Sequence, residues 1–285
     1  MSREALLAAI YDAPGDLAAR AVYADWLLDR GDPRGELITL QLREVVTKEQ
    51  EARARELVDA HAEQWIGRLT EITTWIEFEG GFLARCGLSR IPKWAIGRRE
   101  WATVKHIGIS DDWSRDIGPL VTHETMKSLE SLRVPSRAFV ALLASSYTAR
   151  MPVRRMTLDG NVTASQWTTL EQAPLFAQLR ELDIRGGVEN ATQIPASRYE
   201  RVSMTLHGWV VTWKRGADER LSSLVVEPGV VRWGQKLEPK HLLSYFKALP
   251  ADVVSAIDLG AIAAQVAVRD AKRALEIQVR IVGDL

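Results

Sequence analysis

Between positions 104 and 184 the apolar residues recur in a fixed three-point pattern, at the first, fourth and sixth places of a short segment. Val104, Ile107 and Ile109 form the first set and Leu129, Leu132 and Val134 the second. Val153, Met156 and Leu158 follow, then Leu179, Leu182 and Ile184, so the sets start 25, 24 and 26 residues apart. The fourth and sixth places share one face of an extended chain, because side chains alternate across a strand. Each set therefore reads as a short strand with one buried face. Strands at this interval lie parallel only if the intervening chain crosses back, which takes about a dozen residues or more. Residues 137–147 (Phe139, Leu142, Leu143) and 164–173 (Trp167, Leu170) are helical segments of that length. After residue 190 the pattern loosens to Tyr199-Val202-Met204 and Leu221-Leu224-Val226, with Trp209 to Trp213 as an extra strand. A helix over 240–249, a last set at Val254-Ile257-Leu259 and a closing alternation over 275–282 complete the reading.

Residues 1–72 have a different period. Ser2 is placed to cap a helix carrying Leu6, Leu7, Ile10 and Tyr11, which Pro14-Gly15 ends. Asp16 caps the next, where Leu17, Ala21, Ala24 and Leu28 predict the core face and Trp26 a buried ring. Gly31 stops it, and Asp32-Pro33 opens a third as cap and first residue. Thr47 and Gln50 fit a capping box for a fourth, running to about Trp65. Trp75 to Phe78, Gly80-Gly81 and Phe82 to Arg85 then predict two strands about a glycine turn.

The run VYADWLLDRGDPRGELITLQ, residues 22–41, resembles the signature of the repeat-companion domain of certain bacterial proteins, with the similarity spanning about residues 4–45. In that family the domain precedes leucine-rich or related repeats. The triplets of residues 100–260 in turn resemble a degenerate leucine-rich repeat, whose period is about 20–29 residues. The family's turn asparagine is matched only by Asn161; Asp112, Arg137 and Gly187 stand in the equivalent places. The expected fold is therefore α/β: a helical cap over 1–72, then over 73–285 an irregular, leucine-rich-repeat-like curved sheet with helices on its outer face. The companion domain implies no activity of its own.

Composition narrows the chemistry. With 37 Lys+Arg against 37 Asp+Glu the net charge is zero, which removes a general drive toward nucleic acid. Residues 1–72 hold 9 Lys+Arg and 14 Asp+Glu, so the cap is acidic and the remainder basic. No apolar run approaches 18 residues and the start lacks a leader pattern, so no membrane partner and a cytoplasmic location are expected. Cys86 is the single cysteine and reads as a small buried filler. The five histidines form no zinc-helix spacing, and phosphate loops and nucleophile elbows are missing. Asp12, Asp16, Asp25, Asp29 and Asp32 lack the spacing of a calcium loop. Neither catalytic residues, a metal nor a cofactor is expected.

If the triplets line one sheet, the residues between them point outward. One column reads His106, Ser131, Arg155, Glu181, Arg201, Ser223 and the next Gly108, Arg133, Thr157, Asp183, Ser203, Val225. Arg133, Arg155, Glu181, Asp183, Arg185 and Arg201 then form a recognition surface for another protein, with arginines to meet its carboxylates. The same charges also suit a solvated ladder of cross-strand ion pairs. Trp113, between charges in SDDWSRD, is the tryptophan expected as an exposed anchor. The expected function is a non-enzymatic interaction module or scaffold. Two alternatives are an enzyme that gathers His123 or His207 with two carboxylates in the fold, and, by analogy alone, a regulator of a small GTPase.

Overall fold

The computed structural model describes residues 2–110, 117–135, 152–186, 199–206, 209–216, 221–228 and 277–278. Trp113, His207, Asp112, Arg137 and Gly187, the helices expected over 137–147 and 240–249 and the set at Val254-Ile257-Leu259 lie outside the described residues. The closing alternation is described only at residues 277–278.

The helix starts follow their capping chemistry. α1 (Arg3–Asp12) opens where Ser2 Oγ accepts the Ala5 N–H. α2 (Leu17–Leu28) opens where Asp16 Oδ1 accepts from Ala18 and Ala19. α3 (Pro33–Gln41) starts with Pro33 behind the Asp32 cap, and Gly31 ahead of it has φ 67°, which a side chain resists. α4 (Lys48–Ile66) begins with the reciprocal Thr47–Gln50 box. Each side-chain cap is worth about 1 kcal/mol.

Of the expected core face of α2 only Ala24 is buried. Arg20, Tyr23, Ala24 and Leu27 are buried, whereas Leu17 is 61% and Leu28 46% exposed, with Ala21 also in solvent. The period is helical either way, but the neighbours set the phase, and they pack on the larger Tyr23 and the Arg20 stem. Trp26 is correspondingly half-buried, stacked on Tyr23 at 6.2 Å and covered by the Arg30 guanidinium at 3.8 Å. The expectation of a buried Trp26 is corrected on that ground.

The helices share their core with the first hairpin and the segment after it. Leu6, Ile10, Tyr23, Leu27 and Ile38 cluster with Phe82 and Ala102. Residue 72 thus marks a change of secondary structure, whereas compactness divides the chain into units of chiefly Met1–Arg133 and chiefly Val153–Leu285. In the first unit β1 (Thr73–Glu79) and β2 (Phe82–Leu88) form an antiparallel hairpin. Its turn residues, Gly80 and Gly81, both have positive φ, 55° and 77°, as a two-residue hairpin turn requires. Two buried arginines and a glutamine hold that turn: Arg34 Nε donates to the Gly81 carbonyl, Arg20 to that of Glu79, and Gln41 bonds both Phe78 O and Gly81 N.

β3 (His106–Ile109) runs parallel to β2, and β4 (Ser131–Pro135) parallel to β3. In the second unit β5 (Arg155–Asp159), β6 (Glu181–Arg185) and β7 (Arg201–Leu206) are successive parallel strands. Helices Ala164–Gln172 and Pro174–Gln178 lie in the β5–β6 crossover. β8 (Trp209–Arg215) and β9 (Leu221–Pro228) continue antiparallel, and β10 (Ile277–Gln278) pairs with β9. All twelve residues of the four apolar sets are buried. The chain is α/β with an N-terminal helical region.

Candidate functional site

Strand register fixes which side chains share the outward face. In the first unit Glu77, Arg85, His106 and Ser131 stand in one row across β1 to β4, and Trp75, Gly87, Gly108 and Arg133 in the next. The second row places a large aromatic beside two glycines. A Cβ on Gly87 would strike the Trp75 indole, and one on Gly108 would lie 3.2 Å from its Cζ2. Neither glycine has positive φ, so they are there for space rather than for backbone freedom. The irregular pairing between Thr73 and Trp75, a point where an extra residue re-aims the next side chain, precedes this contact.

Trp75 thus lies across a glycine floor and remains 39% exposed. Its ring is 6.0 Å from that of His106, tilted by 30°. His106 Nδ1 shares a 2.9 Å hydrogen bond with the Ser131 hydroxyl, and Arg85 pairs with Glu77 at 3.4 Å. Arg133 is half-buried in this face, opposite Gly108.

In the second unit the expected columns hold across β5 to β7. Arg155, Glu181 and Arg201 are directly opposite one another, as are Thr157, Asp183 and Ser203. β8 inserts Lys214 and Thr212 into these rows before Ser223 and Val225 of β9. Arg155 grips Glu181 with two bonds, Nε to Oε2 at 2.9 Å and a terminal nitrogen to Oε1 at 2.7 Å. Arg201 approaches the same carboxylate at 3.6 Å, and Arg185 pairs with Asp183 on its own strand at 3.0 Å. The Arg155 bonds hold the Glu181 carboxyl below its ordinary pKa, with a smaller contribution from Arg201. Thr157 and Ser203 are buried hydroxyls; Ser203 accepts from Thr212 at 2.9 Å.

The candidate residues therefore fall in two sets. Arg155, Glu181 and Arg201 meet in one ion-pair row, and Asp183 of the neighbouring row pairs with Arg185 two residues further along its strand. Arg133 belongs to the first unit, beside Trp75. Arg155, Arg185 and Arg201 already engage carboxylates of their own chain, the ladder arrangement. Trp75 is not distinguished from a core tryptophan by its own strand pattern. Its signal lies elsewhere: glycines at 87 and 108, where the other rows carry side chains.

Among the described residues, other groups singled out in the sequence have local roles. His123 Nδ1 accepts the Thr125 N–H at 3.2 Å and contacts the Thr125 hydroxyl, a local turn. Cys86 points into the core, and burial pushes its thiol up to about 12. Asp16 and Asp32 serve as helix caps. Among the described residues no three His, Cys, Asp or Glu side chains gather as a metal site. Comparison with known proteins finds no family model, no curated protein and no solved structure that matches the chain.

Proposed function

We propose that the protein is a non-enzymatic binding module, a scaffold that engages another protein through the outward face of its strands. The observation that carries this reading is Trp75. A tryptophan laid on two glycines and left 39% exposed is held flat at no cost in packing, and such residues dominate binding energy at interfaces. The rows around it, Arg85, His106, Ser131 and Arg133, supply polar groups in fixed register. Carboxylates as well as guanidinium groups line the rows of the second unit, so the faces offer a protein partner mixed-sign complementarity rather than a phosphate track. A short, leucine-rich-repeat-like curvature with a repeat-companion cap is the architecture this proposal assumes. A cytoplasmic location is part of it too; no helix among the described residues is long and apolar enough to cross a membrane.

The test is capture of a partner by the full chain, followed by titration against variants. Trp75→Ala and Gly108→Val, which removes the floor, should each weaken the complex by roughly 30-fold or more, a hot-spot loss of about 2 kcal/mol. Arg155→Glu tests whether the second unit contributes. Binding unchanged in all three, with unfolding curves like wild type, rejects the outward faces as the site.

A further inference from the structure

A second surface runs along β1 and shares Glu77 with the outward rows, but does not include Trp75. α3, the chain after it, α4 and β1 enclose a groove of about 620 Å³, within the range of ligand sites. Its floor is apolar: Leu40, Ala54, Val58, Ile76 and Phe78 are half-buried. Four of these, Leu40, Ala54, Val58 and Phe78, pack downward on Leu37, Leu57 and Trp65, so the floor is the shoulder of a core. Val46 stands exposed at the groove and its neighbour Val45 is 82% exposed. Single exposed apolar residues need no explanation, but a concave apolar floor with an apolar lip is a docking surface.

The walls say what docks. Glu51, Asp59, Glu77 and Glu79 border the groove against the lone cation Arg55 among its lining residues. Arg55 donates to the Glu51 carbonyl of its own helix. Glu77 and Glu79 have partners in Arg85 and Lys105, whereas Glu51 and Asp59 stand on the exposed side of α4. From Gln50 to Asp59 α4 runs about 15 Å beside the floor, the length of nearly three helical turns. We infer that this groove docks a basic amphipathic helix of a protein partner, its apolar stripe on Leu40, Val58 and Phe78 and its lysines or arginines against Glu51 and Asp59. The recognition mode is a helix laid in a groove, with anchors at positions i, i+3, i+4 and i+7. Trp75 does not line the groove, and the inference does not depend on the Trp75 face binding anything.

The probe is a synthetic helical peptide of leucines at i, i+3, i+4 and i+7 with lysines elsewhere, titrated into the full chain by fluorescence anisotropy. A control peptide carries glutamates in place of the lysines. The lysine peptide should bind, with affinity falling as salt rises, and the glutamate peptide should bind at least tenfold more weakly. Glu51→Lys combined with Asp59→Lys, both surface changes, should weaken the lysine peptide by about tenfold or more. Ala54→Trp should block the floor and abolish binding, while Trp75→Ala leaves it as wild type. Equal binding of the two peptides, or lysine-peptide binding indifferent to both the double charge reversal and Ala54→Trp, overturns the inference. So does the absence of binding to the folded wild-type chain.

Discussion

Arg34 Nε donates to the carbonyl oxygen of Gly81 at 2.9 Å, across 47 residues of sequence, in a site where Arg34 is only 3% exposed. The guanidinium also lies 4.3 Å from the centre of the Phe82 ring. One side chain thereby ties the start of α3 to the hairpin turn. Removing it strands the Gly81 carbonyl and empties the space over Phe82. Arg34→Ala should cost about 3 kcal/mol in urea unfolding, combining a charged hydrogen bond with lost packing. Arg34→Lys should recover only part of this, since an ammonium does not reproduce a guanidinium plane. A loss under about 1 kcal/mol for Arg34→Ala would show that the clamp is incidental.

The burial pattern of α2 sets a graded expectation for Trp26. A fully buried aromatic truncated to Ala costs about 3–5 kcal/mol. Trp26 is half-buried, so Trp26→Ala should cost about 2 kcal/mol, and Tyr23→Ala, whose ring is fully buried, clearly more. The order of the two midpoints in denaturant is the measurement; the reverse order contradicts the packing.

Register separates neighbours in β5 and β6. Met156 and Leu182 face the core while Arg155 and Glu181 face outward, directly opposite each other. Leu182→Asp buries a carboxylate without a partner and should unfold the second unit, seen as loss of its cooperative transition. Arg155→Gln gives up an exposed ion pair and should change stability by no more than about 1 kcal/mol. Comparable effects from the two would mean that the register is shifted by one residue.

The Arg155–Glu181 pair also carries a pH signature. Its carboxyl is depressed in the folded chain, so its contribution is present above the ordinary carboxylate pKa of 4.5 and is lost as pH falls through the lower folded value. The stability difference between wild type and Glu181→Gln should therefore be constant near neutrality and shrink on acidification below 4.5. A difference that grows on acidification has the wrong sign for this arrangement.

Cys86 is a reporter of opening. Its thiol is pushed up to about 12 by burial alone, so at pH 8 it is neither ionised nor accessible. Labelling by a thiol reagent should follow the global unfolding equilibrium and accelerate with urea in step with it. Because the folded value is raised, the thiol's contribution is present below its ordinary pKa and is lost as pH climbs toward the folded one. Rapid labelling of the native chain would place Cys86 at the surface.

Local chemistry is legible residue by residue. Ser2, Asp16, Asp32 and Thr47 start their helices because a cap needs only a side-chain oxygen and the next three N–H groups. The apolar sets at 104, 129, 153 and 179 mark buried strands because a strand alternates with period 2 whatever lies beside it. The same alternation gave the rows that bring Arg155, Glu181 and Arg201 together. The packing of the fold set whatever depends on which neighbour arrives. It turned α2 on its Arg20–Tyr23–Leu27 side, although Leu17, Ala21 and Leu28 repeat just as regularly. It paired the extra strand expected at Trp209 to Trp213 antiparallel to both its neighbours, which brings Lys214 and Thr212 into the rows. It laid Trp75 on glycines 12 and 33 residues away and opened a groove between α4 and β1. A helical period defines a stripe but not its partner, and a glycine in sequence does not say whose ring will fill the space it leaves.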